Sequence, residues 1–199
     1  MGELHLEIIK NKLVRDMNIG VNVGTPRVSY RETIVGPAES VRGKFVKQTG
    51  GRGQFGDVII NVRPLTPEAA EAEELELKDG IAFVDRITQG SIPREYIPSV
   101  ELGIRQAAGS GILGGYPLVN VAIELIDGSY HEVDSSQIAF EQAGALAFRE
   151  ACTQAGLALL EPIMNVTITT PEEFFGTVSG DLSSRRGQIN ESDVRGVVR

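Results

Sequence analysis

The chain has a single cysteine, Cys152, and only two histidines, His5 and His131, in 199 residues. One thiol excludes an internal disulfide framework and fits a reducing compartment. Cys152 falls within a helical pattern and reads as packing rather than redox chemistry. Two histidines so far apart in sequence leave too few ligands for a zinc site. No apolar run approaches the roughly 20 residues of a membrane span. The opening Met1-Gly2-Glu3-Leu4-His5 has no cationic stretch leading into an apolar core, so it is not a secretory signal. A net positive charge is also missing. The formal charge is −8, which argues against a protein that coats nucleic acid non-specifically. No Gly-x-x-x-x-Gly-Lys-Ser/Thr phosphate loop occurs. The 41% hydrophobic content is that of an ordinary globular chain, long enough for one domain with additions.

Glycine is abundant in one place. Residues 42–63 hold two β-type runs, Lys44 to Gln48 and Asp57 to Arg63, around Gly50, Gly51, Gly53 and Gly56. Such clusters supply tight backbone curvature without steric cost, and the pattern predicts a hairpin with a long bare tip. Arg52 and Gln54 lie on that tip, with Lys47, Gln48 and Thr49 on its approach. Charge is unevenly spread. Ser40 to Gly56 carries Arg42, Lys44, Lys47 and Arg52 and no acid, whereas Glu68 to Asp79 carries acids against Lys78 alone. A cationic tip on an acidic body can touch a phosphate surface at one point while its flanks are repelled.

The remaining chain alternates helix and strand patterns. Leu6, Ile9, Leu13 and Met17 mark one face of a helix over 3–17, whose apolar stripe needs a partner. Residues 28–34 read as extended, and Gly36-Pro37 breaks them. The acidic segment 68–79 reads as a solvated loop or weak helix, and 81–87 as a strand. Val100, Ile104, Ala107 and Ala108 give a helical stripe, with Pro98 tolerated in its first turn. Leu118 to Ile126 is the clearest strand, closed by an Asp127-Gly128 turn. Asp134 and Gln137 have capping-box spacing before a long helix to Ala155, with Gly156 past its end. Met164 to Thr170 reads as a strand, and Pro171 opens a helix to about Arg185. The short stretch after it reads as the beginning of another strand. So small a final piece cannot bury a core of its own, and both ends suggest a fragment of a longer protein.

His131 lies beside Glu132 and near Asp134 and Ser135. Those neighbours leave three readings open: an acid–base or nucleophilic site, a plain surface histidine, or a contact to RNA. A neutral imidazole can stack on, or hydrogen-bond to, an exposed nucleotide without titrating. A bare glycine-rich backbone with Gln48, Arg52 and Gln54 likewise suits an RNA minor groove.

Four stretches together resemble bacterial elongation factor G, of the translational GTPase family. They are Gln48-Thr49-Gly50-Gly51-Arg52-Gly53-Gln54-Phe55-Gly56, Gly128-Ser129-Tyr130-His131-Glu132-Val133-Asp134-Ser135-Ser136, Leu160-Glu161-Pro162-Ile163-Met164 and Gly180-Asp181-Leu182-Ser183-Ser184-Arg185-Arg186-Gly187. The opening Gly2-Glu3-Leu4-His5-Leu6-Glu7 resembles the last helix of that family's domain III. The resemblance implies a division into 1–22, the end of domain III; 23–160, domain IV; and 161–199, the start of domain V. It implies an α+β fold like the second domain of ribosomal protein S5. That fold has a mixed β-sheet with two helices on one face and a left-handed βαβ crossover, an exception to a strong rule. A truncated ferredoxin-like element follows at the C-terminus.

The same resemblance implies a function. Domain IV of the family enters the decoding site of the small ribosomal subunit during tRNA–mRNA translocation. Its tip loops touch the codon–anticodon duplex. The matching residues are Gln48, Thr49, Gly50, Gly51, Arg52, Gly53 and Gln54 in one loop, and Tyr130, His131, Glu132, Asp134 and Ser135 in the other. The implied partners are the ribosome with its small-subunit rRNA, tRNA and mRNA. A cytoplasmic monomer is expected, with no membrane. This chain is expected to hold no cofactor or metal and to catalyse no reaction; GTP and magnesium belong to the family's N-terminal domain. Two rivals stand beside this reading. One is an elongation-factor-G paralogue in ribosome recycling or ribosome protection, suggested by the long acidic segment 68–79. The other is a small hydrolase using His131 with Asp134 or Ser135.

Overall fold

Strands β2 (Ala38–Lys47) and β3 (Gln54–Pro64) pair antiparallel, with Lys47 opposite Gln54 and Val41 opposite Ile60. Both are longer than the two runs read from sequence. The computed structural model describes residues 3–22, 24, 28–48, 53–88 and 90–193. These fall into two units, Met1–Pro162 and Ile163–Arg199. In the first, β5 (Val121–Ser129) joins β3 antiparallel and β4 (Ile81–Asp85) joins β5 parallel, giving the order β2-β3-β5-β4. The parallel pair β4 and β5 is connected through helix α3 (Ile97–Ser110), because parallel neighbours need a crossover. The sheet is therefore mixed and the architecture α+β.

Period-2 alternation decides which residues face the helices. Val58, Ile60, Val62, Ile123 and Leu125 point to one face, against α3 and the long helix α4 (Gln137–Ala155). Val100 and Ile104 of α3 and Phe140 and Phe148 of α4 fill that layer, fully buried. The small residues of α4 let it lie close on β2 and β3. Cys152 is buried on the same helix face, where desolvation pushes its thiol up to about 12 and the Glu32 charge adds to the shift. The thiol is inert at neutral pH, as its packing role requires.

The opposite face of the sheet is not bare at its base. Helix α2 (Pro67–Ala72) is capped by Thr66, whose Oγ1 accepts the Ala69 N–H at 3.3 Å. Ala70, Leu75 and Leu77 then pack with Leu65, Ala82 and Ala122. Ala82 and Ala122 are cross-strand partners on the side away from α3 and α4. The acidic segment is thus a short capped helix and a return strap covering the sheet, rather than a solvated loop. Arg63 and Glu73 pair across it.

A separate two-stranded ribbon belongs to the same unit: β1 (Arg31–Ile34) pairs antiparallel with β6 (Leu157–Leu160), Ile34 opposite Leu157. Strand β6 is too short and unpunctuated to be read from sequence. Glu32 in β1 is fully buried. Its Oε2 accepts the N–H groups of Ile112 and Leu113 at 2.6 and 2.9 Å, and its Oε1 those of Gly114 and Tyr116 at 2.7 and 3.0 Å. Burial pushes this carboxyl up, but the four amides outweigh it and hold it below the ordinary carboxylate range.

Four expectations are corrected. Strand β5 runs through Asp127-Gly128 instead of turning there. A bulge sets Ile59 opposite Asp127 and Ile60 opposite Leu125, so Ile126 is the extra residue and the strand continues to Ser129. The cap of α4 is Ser136, whose Oγ accepts the Ala139 N–H at 3.2 Å, not Asp134. In the second unit, residues 163–170 form no strand among the described residues. Ile163, Met164 and Val166 are exposed there, since alternation without a hydrogen-bonded neighbour makes no ladder. Residues 188–193 likewise form none, and the rest of the strand expected after that helix, 194–199, lies outside the described residues. A 3-10 turn (Glu172–Phe174) and α5 (Phe175–Ser184) do form, and Arg185 closes the helix on Asp181 at 2.9 Å. In the first unit, α1 (Glu3–Asn11) continues as a π-helical stretch, Lys12–Asp16, with Leu6, Ile9 and Met17 exposed.

Candidate nucleic-acid interface

Three strand ends converge at one pole of the sheet. Lys47 closes β2 opposite Gln54 of β3, and Ser129 closes β5 opposite Asp57. The chain leaving β5 forms a turn whose ends are tied together. The Ser135 Oγ accepts the His131 N–H at 2.9 Å, and the Ser135 N–H donates to the His131 carbonyl at 3.0 Å. This turn meets the outgoing end of the glycine-rich segment. The Gly53 N–H donates to Asp134 Oδ1 at 3.1 Å, and the Phe55 N–H donates to the Asp134 carbonyl at 2.8 Å. Phe55 and Ser135 form a parallel bridge. Two stretches some eighty residues apart in sequence therefore share one surface.

The candidate residues divide by exposure. Gln48, Tyr130, His131 and Glu132 are exposed, and Gln54 is half-buried. His131 keeps 57% of its side-chain surface. Asp134 is half-buried and Ser135 buried, because both spend their polar atoms on the backbone of the two loops. Thr49, Gly50, Gly51 and Arg52 lie outside the described residues. The His131 Nδ1 lies 3.4 Å from the N–H groups of both Val133 and Asp134, which donate to it, and 3.6 Å from Asp134 Oδ2.

Two features escape a reading by loops alone. Phe55 lies 6.3 Å from the His131 ring, centroid to centroid, and Lys44 Nζ sits 5.5 Å over Phe55. Alternation along β2 and β3 puts Lys44 and Phe55 on the sheet face away from the helices, adding a cation and an aromatic edge to the tip. The second is a clasp below them. Asp57 is 1% exposed, takes Arg42 bidentately at 2.7 and 2.6 Å, and accepts the Ser129 Oγ–H at 2.6 Å. Burial pushes this carboxyl up, yet the Arg42 and Ser129 hydrogen bonds and the Arg42 charge hold Asp57 below the usual carboxylate range. The one carboxylate of β3, next to Val58, Ile59 and Ile60, was the signal for it. Arg42 is therefore already ion-paired, whereas Lys44, whose charge also acts on Asp57, and Lys47 are exposed cations of the described tip.

Among the described residues no cluster of three His, Cys, Asp or Glu side chains could hold a metal ion. No described helix is long and apolar enough to cross a membrane. What the described pole offers is backbone and side-chain donors and acceptors, an exposed imidazole and an aromatic ring at the ends of three strands.

Comparison with known proteins gives this arrangement its family. A crystal structure of a protein from Thermus thermophilus superposes with a TM-score of 0.82 at 41% sequence identity, covering 99% of this chain. The chain spans 28% of the length of that protein. Residues 26–156 match the family described as elongation factor G, domain IV, and residues 158–198 match the elongation factor G C-terminus. With those two matches in the order in which the sheet unit and the short helical unit follow one another, the chain belongs to the elongation factor G family.

Proposed function

We propose that this chain supplies the decoding-site contact of a translation elongation factor, acting on the ribosome during movement of tRNA and mRNA. The supporting observation is the junction of Gly53 and Phe55 with Asp134, which sets the glycine-rich segment beside an exposed His131. Gln48, Gln54, Tyr130, His131 and Glu132, with Arg52 and its glycine neighbours, meet the codon–anticodon duplex and small-subunit rRNA through 2′-hydroxyls and base edges. The mechanism is steric and by hydrogen bonding: the tip holds the duplex as it moves and blocks its return. The factor works in the cytoplasm as a monomer. GTP and magnesium belong to another domain of the full-length factor, and this chain turns over no GTP.

The direct test is single-turnover translocation by a full-length factor carrying this sequence. His131→Ala slows translocation by about tenfold or more while ribosome binding holds, a loss of roughly 1.4 kcal/mol in the transition state. Unchanged translocation overturns the proposal. Of the rivals, recycling or protection rests on the acidic segment. That segment packs on the sheet at the β4 and β5 starts, at the other end from the tip, and so leaves the tip chemistry as it is. The hydrolase reading needs His131 to work with Asp134 or Ser135, but the Ser135 hydroxyl accepts the His131 main-chain N–H, and the ring nitrogen Nδ1, 3.6 Å from Asp134 Oδ2, accepts two amides. That pairing lacks the nucleophile–base geometry of a hydrolase.

A further inference from the structure

Asp134 bonds to the glycine-rich segment with both its side chain and its main chain. Its Oδ1 takes the Gly53 N–H and its carbonyl takes the Phe55 N–H, so two alternate amides of that segment are held by one residue. The approach is close: a Cβ built on Gly53 would lie 2.9 Å from Asp134 Cγ, so a side chain there makes the carboxylate shift. On its other side, the Asp134 N–H and the Val133 N–H donate to His131 Nδ1. Nδ1 also lies 3.6 Å from Asp134 Oδ2, but the two amides, at 3.4 Å each, point their hydrogens at it, and a neutral ring whose Nδ1 accepts them carries its proton on Nε2.

We infer that Asp134 is a positioning residue: its carboxylate fixes the glycine-rich segment against the His131 turn, while that turn holds His131 as the Nε2–H tautomer. The tip then presents a hydrogen-bond donor at His131, and the group it recognises is an acceptor, such as a phosphate oxygen, a 2′-hydroxyl oxygen or a base carbonyl. Asp134 itself makes no contact with RNA. An anion facing a phosphate-rich ligand would weaken binding, and the Gly53 amide and half-burial take Asp134 out of that role. The functional half of this inference rests on the RNA-contact reading above; the structural half does not.

Asp134→Ala and Asp134→Asn separate the possibilities, because an asparagine carbonyl still accepts the Gly53 N–H and carries no charge. In the full chain, amide hydrogen exchange at Gly53 speeds up about tenfold or more in Asp134→Ala and stays within about threefold of the parent in Asp134→Asn. Nitrogen-15 spectra of the His131 ring above its titration range show the Nε2–H pattern. In the full-length factor Asp134→Ala slows single-turnover translocation more than it weakens ribosome binding, and Asp134→Asn restores most of the rate. Unchanged Gly53 exchange in Asp134→Ala, or an Nδ1–H ring, overturns the clamp. A freed Gly53 with unchanged translocation overturns the positioning role. An Asp134→Asn variant that protects Gly53 yet translocates as slowly as Asp134→Ala shows that the charge acts directly, and also overturns it. If instead His131→Ala is silent in translocation while Gly53 exchange behaves as stated, the RNA-contact reading fails and the clamp stands.

Discussion

Gly43 of β2 lies against Ala147 of α4: a Cβ built on Gly43 would fall 2.4 Å from the Ala147 main-chain nitrogen and 2.6 Å from its Cβ. The helix can approach the sheet only because the strand offers no side chain there and the helix offers a methyl. Gly43→Ala therefore forces the two elements apart and costs about 1–3 kcal/mol by overpacking. Gly109 on the exposed side of α3 is the control. A Cβ there meets nothing within 4 Å, so Gly109→Ala stabilises by roughly 0.5–1 kcal/mol through helix propensity. Urea unfolding of both variants checks the contrast, and equal effects would show that the β2–α4 contact is not tight.

Glu32 gives a pH signature. Its folded carboxyl is held below its unfolded value by four amides, so its contribution to stability is complete above about pH 4.3. The contribution fades as pH falls through the lower folded value and does not change as pH rises. Glu32→Gln turns an N–H₂ toward amides that need acceptors, and costs roughly 2–4 kcal/mol at neutral pH. The gap between parent and variant narrows on acidification below the unfolded value. Asp57 is shifted in the same direction, so the variant retains some acid sensitivity. A gap that is constant from neutral to strongly acid conditions would remove Glu32 as its source.

Long periodic elements were legible from residues alone. The stripe Val100, Ile104, Ala107 and Ala108 is the buried face of α3, and the helix ending at Ala155 with Gly156 past it is α4. The meeting of Gly53 and Phe55 with Asp134 and Ser135 followed from family resemblance, since no local pattern encodes a contact over that separation. What failed depended on tertiary partners. Asp127-Gly128 has turn chemistry but is held in β5 by pairing with Ile59 and Val58. Residues 164–170 have strand alternation but no neighbouring strand among the described residues. Asp134 has cap spacing, yet its carboxylate finds Gly53 and the hydroxyl of Ser136 takes the cap. In each case the local rule was sound and the tertiary partner decided the outcome.

The acidic segment is part of the fold, and mutations should divide it by face. Leu77→Ala removes a half-buried side chain packed on the Leu65, Ala70, Ala82 and Ala122 cluster, and costs about 1–2 kcal/mol, below the range for a full core leucine. Glu71→Gln and Glu76→Gln change exposed carboxylates and stay within about 0.5 kcal/mol of the parent. Thermal melts of the three variants decide the matter. A neutral Leu77→Ala would return the segment to the status of a solvated insertion.

Charge at the tip is the last quantity to test, because Asp57 changes which cations count. Arg42 is held bidentately by a buried carboxylate, and its field is largely cancelled at a distance. Lys44 lies over the Phe55 ring, and Lys47 is exposed at the strand end. If the tip meets phosphates, Lys44→Ala and Lys47→Ala each lower the salt dependence of ribosome binding by roughly 0.7–0.9 in the log–log slope, the effect of one lost phosphate contact. Arg42→Gln keeps a donor for Asp57 and lowers the slope by less than about half of that. Affinities measured over a series of salt concentrations, with melting curves to confirm folding, provide the comparison. An Arg42→Gln slope change as large as those of the lysines would mean that Arg42 leaves Asp57 to reach the RNA, and the clasp would then be a feature of the unbound tip alone.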